Sequence, residues 1–169
     1  MVVFDATVLI DLFNPKVMGN RRLRLDLLIG TLDKQKEKVV IPAPAYTEFL
    51  IGAHGARDAY QARIEKSSMF RVEPYSKKVA IECAILLSSV FSTPEKRAIT
   101  KTKLKFDWMI VATAKALDAA YVYTGDDDIV RFSKHAGVMA VRLDDLPLPA
   151  ASPQIGFAFD AGSGQGSAT

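Results

Sequence analysis

Four acidic residues lie beside apolar segments of this sequence, a placement that can assemble a cation-binding site. Asp5 follows the run MVVF, Glu48 comes after KVVI, Asp107 lies within KFDWMIVATA, and Asp126 follows YVYTG. Neighbouring carboxylates raise one another's pKa. A hard divalent cation such as Mg²⁺ or Mn²⁺ relieves this repulsion because it prefers carboxylate and water oxygens. Since such a cation activates a bound water and stabilises charge on a phosphate, the pattern indicates phosphodiester hydrolysis.

Each of these acids also has a purely structural explanation. Asp5 and Asp107 stand where helices are expected to begin, and aspartate is a common helix N-cap. Glu48 can be a surface glutamate on an apolar helix, and residues 124–128 (TGDDD) can form a turn followed by a capped helix. The joint placement of the acids, rather than any single one of them, favours a functional site.

Basic residues form two clusters, and the first lies just before Asp107. The net charge is +3 and the pI is about 9.0, values that are compatible with a nucleic-acid partner. Residues 96–105 (KRAITKTKLK) include three candidates for contact with phosphates: Lys101, Lys103 and Lys105. The second cluster consists of Arg21, Arg22 and Arg24. Either cluster can also be the solvated face of a helix.

Cysteine and histidine are too scarce for several classes of site. The 169 residues contain one cysteine, Cys83, and two histidines, which excludes an internal disulfide, a cysteine-based zinc site and a multi-histidine cage. No apolar run approaches the roughly 20 residues that span a bilayer. The opening MVVFDATVLIDLF contains two aspartates and lacks the basic residues of a signal peptide. We therefore expect a mildly basic, cytoplasmic protein.

Short apolar runs alternate with segments of helical periodicity, which is typical of an α/β protein with a mainly parallel sheet. Five runs are predicted as buried strands: Met1–Phe4, Lys38–Ile41, Met69–Glu73, Tyr121–Thr124 and Val138–Arg142. Helices are predicted over 6–13, from near Ala45, and where apolar residues recur within 23–32, 80–91 and 110–117. Sites in such sheets form outside the carboxyl ends of the strands, which is where Asp5 and Asp126 fall.

The composition changes after Leu146. Residues 147–169 are rich in Pro, Gly, Ala and Ser and carry one charge, at Asp160. Such a segment cannot bury enough apolar surface to offset its conformational entropy. We expect one domain over residues 1–146 and a disordered tail over 147–169.

Four segments resemble, in order and spacing, those of PIN-domain ribonucleases, and in particular the VapC-type toxins of toxin–antitoxin pairs. They are MVVFDATVLIDLF, APAYTEFLIGA, KFDWMIVATAKALDA and YVYTGDDDIVRFSKHAGV, and the resemblance covers residues 1–146. It implies a Rossmann-like, mainly parallel sheet of about five strands flanked by helices. It also implies an acidic pocket that binds Mg²⁺ or Mn²⁺ and hydrolyses RNA phosphodiester bonds.

The resemblance also implies roles for individual residues. It assigns four catalytic acids, Asp5, Glu48, Asp107 and Asp126. Of these, Asp5, Asp107 and Asp126 would hold the metal, and Glu48 and Asp128 are further candidates for doing so. Thr7 and Thr124 match the small hydroxyl residues that support the acids. Separately from the resemblance, Lys101, Lys103 and Lys105 are candidates for binding RNA because they lie just before Asp107. An RNA substrate, a cognate antitoxin protein and a homodimer are the partners implied.

One position departs from the pattern of many relatives. They read T-N-D in the last motif, whereas this chain reads Thr124-Gly125-Asp126. The acid is retained, but the amide that helps to organise the pocket in those relatives is absent.

Three other classes of protein share parts of this pattern. A phosphatase of the haloacid dehalogenase type needs a second aspartate where this chain has Thr7. A phospho-acceptor receiver domain needs paired acids at the first strand, and Asp5 is flanked by Phe4 and Ala6. A catalytically inactive PIN-like module that binds RNA or protein is the remaining alternative. Metal-dependent cleavage of RNA discriminates it from the enzyme.

Overall fold

The computed structural model describes residues 1–91 and 101–150, apart from the side chains of residues 90, 91 and 101–105. Within these ranges one parallel sheet is formed by β1 (Val2–Phe4), β2 (Val39–Pro42), β3 (Phe70–Glu73), β4 (Val122–Thr124) and β5 (Ala140–Arg142). The strand order is β3-β2-β1-β4-β5. The predicted α/β fold with a mainly parallel sheet is confirmed, and every predicted strand overlaps an observed one.

Helices connect successive strands and cover both faces of the sheet. Over the described residues they are α1 (Ala6–Phe13), α2 (Gly19–Lys34), α3 (Ala43–Gly52), α4 (Arg57–Lys66), α5 (Lys77–Phe91), α6 (Lys101–Ala116) and α7 (Asp127–Ala136). The helix over 6–13 is as predicted. Helix α4 was missed because Ile64 is its one buried residue, so its sequence carries no apolar stripe.

Alternate residues of the strands pack into two separate cores. Val3, Val40 and Val122 belong to a core shared with α5, α6 and α7. Val2 and Phe4 belong to a second core on the other face of the sheet, shared with α1, α2, α3 and α4. Strands covered on both faces are apolar throughout, which is why these segments show no alternation in the sequence.

Two predictions, on the C-terminal tail and on the first basic cluster, concern residues that lie partly outside the described ranges. Residues 147–150 contain neither helix nor strand, and the remainder of the predicted tail, 151–169, lies outside the described residues. Residues 96–100 of the first basic cluster also lie outside them. Across 1–91 and 101–150, no helix is both long and apolar enough to cross a membrane.

Candidate active site

The centre of the sheet brings the carboxyl ends of β1 and β4 together. The two strands pair in parallel, with Phe4 opposite Tyr123, and the Asp5 N–H donates to the Tyr123 carbonyl at 3.2 Å. The chain direction of the crossovers reverses here, because β2 and β3 lie on one side of β1, and β4 and β5 lie on the other. Open α/β sheets bind ligands at such a point. Asp5 and Thr124 therefore stand where this fold favours a site.

The Asp5 carboxylate is buried and held by three donors. Its side chain is 2% exposed. Oδ1 accepts hydrogen bonds from the Val8 N–H at 3.1 Å and from the Thr7 hydroxyl at 2.7 Å, and Oδ2 accepts one from the Thr124 hydroxyl. The bond from Val8 makes Asp5 the N-cap of α1, as its position suggested. Two threonine hydroxyls in addition fix the orientation of this carboxylate more tightly than a cap requires.

Burial raises the pKa of Asp5 above its ordinary value of 3.8. Loss of hydration is the largest cause, and the hydrogen bonds from Thr124, Thr7 and Val8 oppose it by stabilising the charged form. The net direction is upward, so the ionised carboxylate is costly in the protein alone. A cation bound at this carboxylate would remove that cost.

A short hydrogen-bond network ties the turn after β4 to α1. The Gly125 N–H donates to Thr7 Oγ1 at 2.7 Å, and the Asp126 N–H donates to Thr124 Oγ1 at 2.8 Å. Asp126 Oδ1 in turn accepts from the Asp128 N–H at 2.7 Å, which makes Asp126 the N-cap of α7. Both threonine hydroxyls thus join Asp5 to the turn that carries Asp126.

Asp107 does not open a helix, which corrects the sequence-based expectation. Helix α6 (Lys101–Ala116) includes the residues before Asp107, which are good helix formers such as lysine and leucine. Asp107 therefore lies inside the helix and is not its N-cap. Its side chain is only 5% exposed. Burying a carboxylate is costly unless it is paired or neutralised, and capping does not account for the burial of Asp107.

Glu48 lies on a helix, α3, that contacts the elements carrying two of the other acids, Asp5 and Asp107. Helix α3 packs against α1, which Asp5 caps, and against α6, which carries Asp107. The Glu48 side chain is half-buried. Asp128 is also half-buried and pairs with Arg131, with Oδ1 and Nη2 2.8 Å apart. The packing of α3 therefore links the elements that carry Asp5, Glu48 and Asp107.

The residue types at this end of the sheet fit a hard divalent cation. Aspartate and threonine oxygens are the donors available there, and oxygen ligands suit Mg²⁺ or Mn²⁺. Among the residues that are described, however, no three histidine, cysteine, aspartate or glutamate side chains lie close enough together to enclose an ion. The donor chemistry fits a cation, while the described side chains do not form a closed cage.

The structure does not test the lysines that are predicted to contact nucleic acid, but it does place the tryptophan that follows Asp107. The side chains of Lys101, Lys103 and Lys105 lie outside the described part of the chain, so their role stays a prediction. Trp108, the residue after Asp107, is in the core at 1% exposure, and its ring stacks on Phe132 with centroids 4.6 Å apart.

The second basic cluster is not a free cationic face. Arg21 pairs with Asp11 and Asp144, Arg22 pairs with Asp26 and donates to the Leu12 carbonyl, and Arg24 donates to the Leu146 carbonyl. One of the three, Arg21, also lies beside Gly125 at the candidate site. No sequence signal links Arg21 to Gly125, since they are distant along the chain and meet only through packing.

Comparisons with known proteins agree with the fold. The family model described as "PIN domain" matches residues 2–135. A search of curated proteins found no match.

Two solved structures are similar to this chain in fold. One is VapBC2 from Rickettsia felis bound to a DNA fragment from its promoter, with 14% identity, a TM-score of 0.55, and coverage of 84% of this chain and 98% of that one. The other is VapC20 from Mycobacterium tuberculosis, a toxin that cleaves the sarcin–ricin loop. It has 19% identity, a TM-score of 0.58, and coverage of 84% of this chain and 99% of that one.

Proposed function

Because the chain belongs to the PIN-domain family, we propose that it is a metal-dependent endoribonuclease and the toxin of a toxin–antitoxin pair. The observation that carries the proposal is the Asp5 carboxylate. It is buried where the ends of β1 and β4 meet, and it is oriented by the hydroxyls of Thr7 and Thr124. A purely structural cap needs neither this depth nor these extra donors.

In the proposed reaction, Asp5, Asp107 and Asp126 hold a Mg²⁺ or Mn²⁺ ion, and Glu48 and Asp128 are further candidates for doing so. When bound, that ion supplies activation of a water and neutralises charge on the phosphate. The buried position of Asp5 and Asp107 excludes bulk water, which strengthens their interaction with a cation. Glu48 orients the attacking water, and no side chain forms a covalent intermediate.

Thr7 and Thr124 act as positioning residues in this proposal. Each hydroxyl donates to one oxygen of Asp5 and accepts a backbone N–H from the turn after β4. The pair therefore sets the orientation of Asp5 relative to Asp126. Groups that orient a metal ligand in this way contribute to metal affinity even though they do not touch the ion.

The partners follow from the same proposal. The substrate is RNA with unpaired bases, and Lys101, Lys103 and Lys105 contact its phosphates. Similarity to VapBC2, whose structure contains promoter DNA, supports a cognate antitoxin as a protein partner. A homodimer and a cytoplasmic location belong to the same proposal.

A catalytically inactive PIN-like binding module is the second candidate. It is favoured by the absence, among the described side chains, of three acids close enough to enclose an ion. Such a module would bind RNA or a protein without metal-dependent cleavage. The two candidates differ in a single measurable property, which is cleavage.

Cleavage of RNA by the purified protein tests the proposal, with Asp107→Asn as the main variant. We expect the unmodified protein to cut RNA in Mn²⁺ or Mg²⁺ and to stop when the ion is chelated. Asp107→Asn should lower the rate by at least about 100-fold, because losing even an outer partner of a metal ligand costs about 10–100-fold. Circular dichroism should show a folded variant.

The matched control is Asp33→Asn, the same change at an exposed position of α2, which should cut RNA at the normal rate. Metal-independent or absent cleavage by the unmodified protein would favour the binding module. An unfolded Asp107→Asn protein would make Asp107 a structural residue.

A further inference from the structure

Gly125 lies at the candidate site in a position where a side chain would be crowded. A Cβ atom built there would be 3.1 Å from Arg21 Nη2 and 3.1 Å from Thr7 Oγ1. The Gly125 φ angle is not in the left-handed region, so the backbone itself would accept alanine. The space beside this glycine is therefore taken by the arginine on one side and by the threonine hydroxyl on the other.

Two carboxylates hold the Arg21 guanidinium in place from different parts of the chain. Arg21 Nε donates to Asp11 Oδ2 at 2.6 Å, and Nη2 lies 2.5 Å from the same oxygen. Nη1 donates to Asp144 Oδ1 at 2.9 Å. Asp11 is on α1, Arg21 is on α2, and Asp144 follows β5. The guanidinium thus links three segments, and a planar fork of donors is needed to do so.

The Arg21 guanidinium also lies close to the hydrogen bonds that orient Asp5, at the end of the sheet that carries the candidate site. Thr7 Oγ1 accepts the Gly125 N–H and donates to Asp5 Oδ1. Arg21 Nη2 and Thr7 Oγ1 border the same point above Gly125. Arg21 therefore lies next to the hydrogen bond that joins the turn at Gly125 to Thr7, and Thr7 in turn orients the Asp5 carboxylate.

We propose that Arg21 is a positioning residue of the active site, which holds the turn at Gly125 against Thr7 and so keeps Asp5 in its working orientation. The inference rests on the proposed nuclease function and adds a residue to it. It treats Arg21 and Gly125 as one unit, because the glycine makes room for the guanidinium. Arg21 does not contact the substrate in this proposal, because Asp11 and Asp144 fix the orientation of its guanidinium.

A double-mutant cycle with Arg21→Ala, Gly125→Ala and the double variant tests the unit. Steady-state cleavage of RNA gives kcat and KM for each. We expect each single change to lower kcat about 10-fold, the lower end of the effect of groups that orient a metal ligand. KM should change little, and the double variant should lose no more than the worse single variant, since both act on the same contact. Arg21→Lys should behave like Arg21→Ala because lysine lacks the fork.

Arg22→Ala is the matched control, since Arg22 is on the same helix but pairs with Asp26 and the Leu12 carbonyl. It should retain the normal kcat. Independent losses that multiply in the double variant, or a normal kcat for Arg21→Ala, would overturn the inference. A loss confined to KM together with weaker salt dependence of RNA binding would also overturn it, because Arg21 would then be a phosphate contact.

Thermal unfolding of the metal-free variants provides a readout that does not depend on activity. Gly125→Ala should lower the Tm of the unmodified protein. It should lower the Tm of the Arg21→Ala variant by less, because the added methyl group is then no longer crowded by Arg21. Equal effects in both backgrounds would show that Arg21 does not occupy this space. If the unmodified protein does not cleave RNA, the proposed function is contradicted. If it cleaves RNA, the effect of Gly125→Ala on Tm depends on Arg21, and Arg21→Ala still has a normal kcat, this inference alone is contradicted.

Discussion

At the scale of single residues, Asp5 makes two kinds of contact, one within its own helix and one across the sheet, and the sequence alone does not distinguish them. Its carboxylate caps α1 through the Val8 N–H, a local contact that the placement of an aspartate after a strand predicts. It also receives the Thr124 hydroxyl from the neighbouring strand β4, a contact that depends on the sheet. The same side chain therefore stabilises a helix and is held in one orientation by a contact across the sheet.

The raised pKa of Asp5 gives a pH dependence of stability with a definite sign. Between the ordinary value of 3.8 and the higher pKa in the folded state, the folded protein binds more protons than the unfolded chain. The free energy of unfolding of the metal-free protein therefore falls as pH rises through this window. Asp5→Asn should remove this component. Urea unfolding at a series of pH values measures it as the difference between the two proteins.

The control for this measurement is Asp33→Asn, which changes an exposed aspartate in the same way. Its unfolding free energy should follow that of the unmodified protein at every pH. A difference between Asp5→Asn and the unmodified protein that is constant across the window would mean that burial does not raise the pKa of Asp5.

At the scale of secondary structure, α7 depends on the same residue that is proposed to bind metal. Asp126 caps its first turn by accepting the Asp128 N–H, and Gly137, with φ of 69°, ends it in the left-handed conformation that glycine tolerates. The start and end of α7 are therefore both encoded locally. A test of Asp126 in catalysis therefore has to separate its contribution to the stability of α7 from its contribution to RNA cleavage.

Comparison of Asp126→Asn with Asp126→Ala separates the two roles of this residue. Asparagine is as good an N-cap as aspartate, so Asp126→Asn should change the free energy of unfolding by only a few tenths of a kcal/mol, whereas alanine should cost about 1 kcal/mol. Both should lose RNA cleavage if the charge binds the metal. Thermal unfolding and a cleavage assay on both variants measure this. Normal cleavage by Asp126→Asn would leave Asp126 with the cap alone.

Helix α6 joins the proposed RNA contacts to the buried acid, since Lys101, Lys103, Lys105 and Asp107 all belong to it. Replacement of the three lysines by alanine should weaken RNA binding and flatten its logarithmic salt slope by up to roughly 2, because fewer counterions are released from a single strand. Binding should be measured at several salt concentrations in an Asp5→Asn background, which prevents cleavage.

A triple change of exposed lysines elsewhere, Lys66, Lys77 and Lys78 to alanine, is the control for charge alone. It should leave the salt slope closer to that of the parent protein. The same slope for the parent and the α6 variant would assign the three lysines of α6 to solubility or to a protein partner.

At the scale of the whole molecule, a bound cation should couple to folding because the ends of β1 and β4 come together only in the native sheet. A ligand at about 100 times its Kd stabilises the folded state by about 2.7 kcal/mol. For a domain of this size that corresponds to a rise in Tm of about 5–10 °C. Titration of Mn²⁺ in a thermal unfolding experiment measures it. Asp5→Asn should abolish the rise and Asp33→Asn should retain it.

An unchanged Tm across the titration would count against an assembled cation site. This measurement tests the whole fold because the candidate site joins segments that are distant in the sequence, at Asp5 and at Thr124. A response that survives in Asp5→Asn would place the ion elsewhere in the molecule.

The sequence by itself determined the features of this protein that local physics controls. The apolar runs identified all five strands of the described sheet, and the alternation with helical segments predicted parallel pairing. The positions of Asp5 and Asp126 just after strands identified two helix caps. These predictions succeed because periodicity and capping depend on residues within a few positions of each other.

Only the tertiary structure decided which distant residues meet. The order of the strands, the start of α6 ahead of Asp107, and the contact of Arg21 with Asp144 and with the space beside Gly125 were not predicted. Each depends on how helices pack across the sheet, and a guanidinium can pair with any carboxylate that packing brings within reach. Residue spacing along a chain does not encode such contacts, so only the structure shows that Arg21 and Thr7 lie close to the position that a side chain at Gly125 would take.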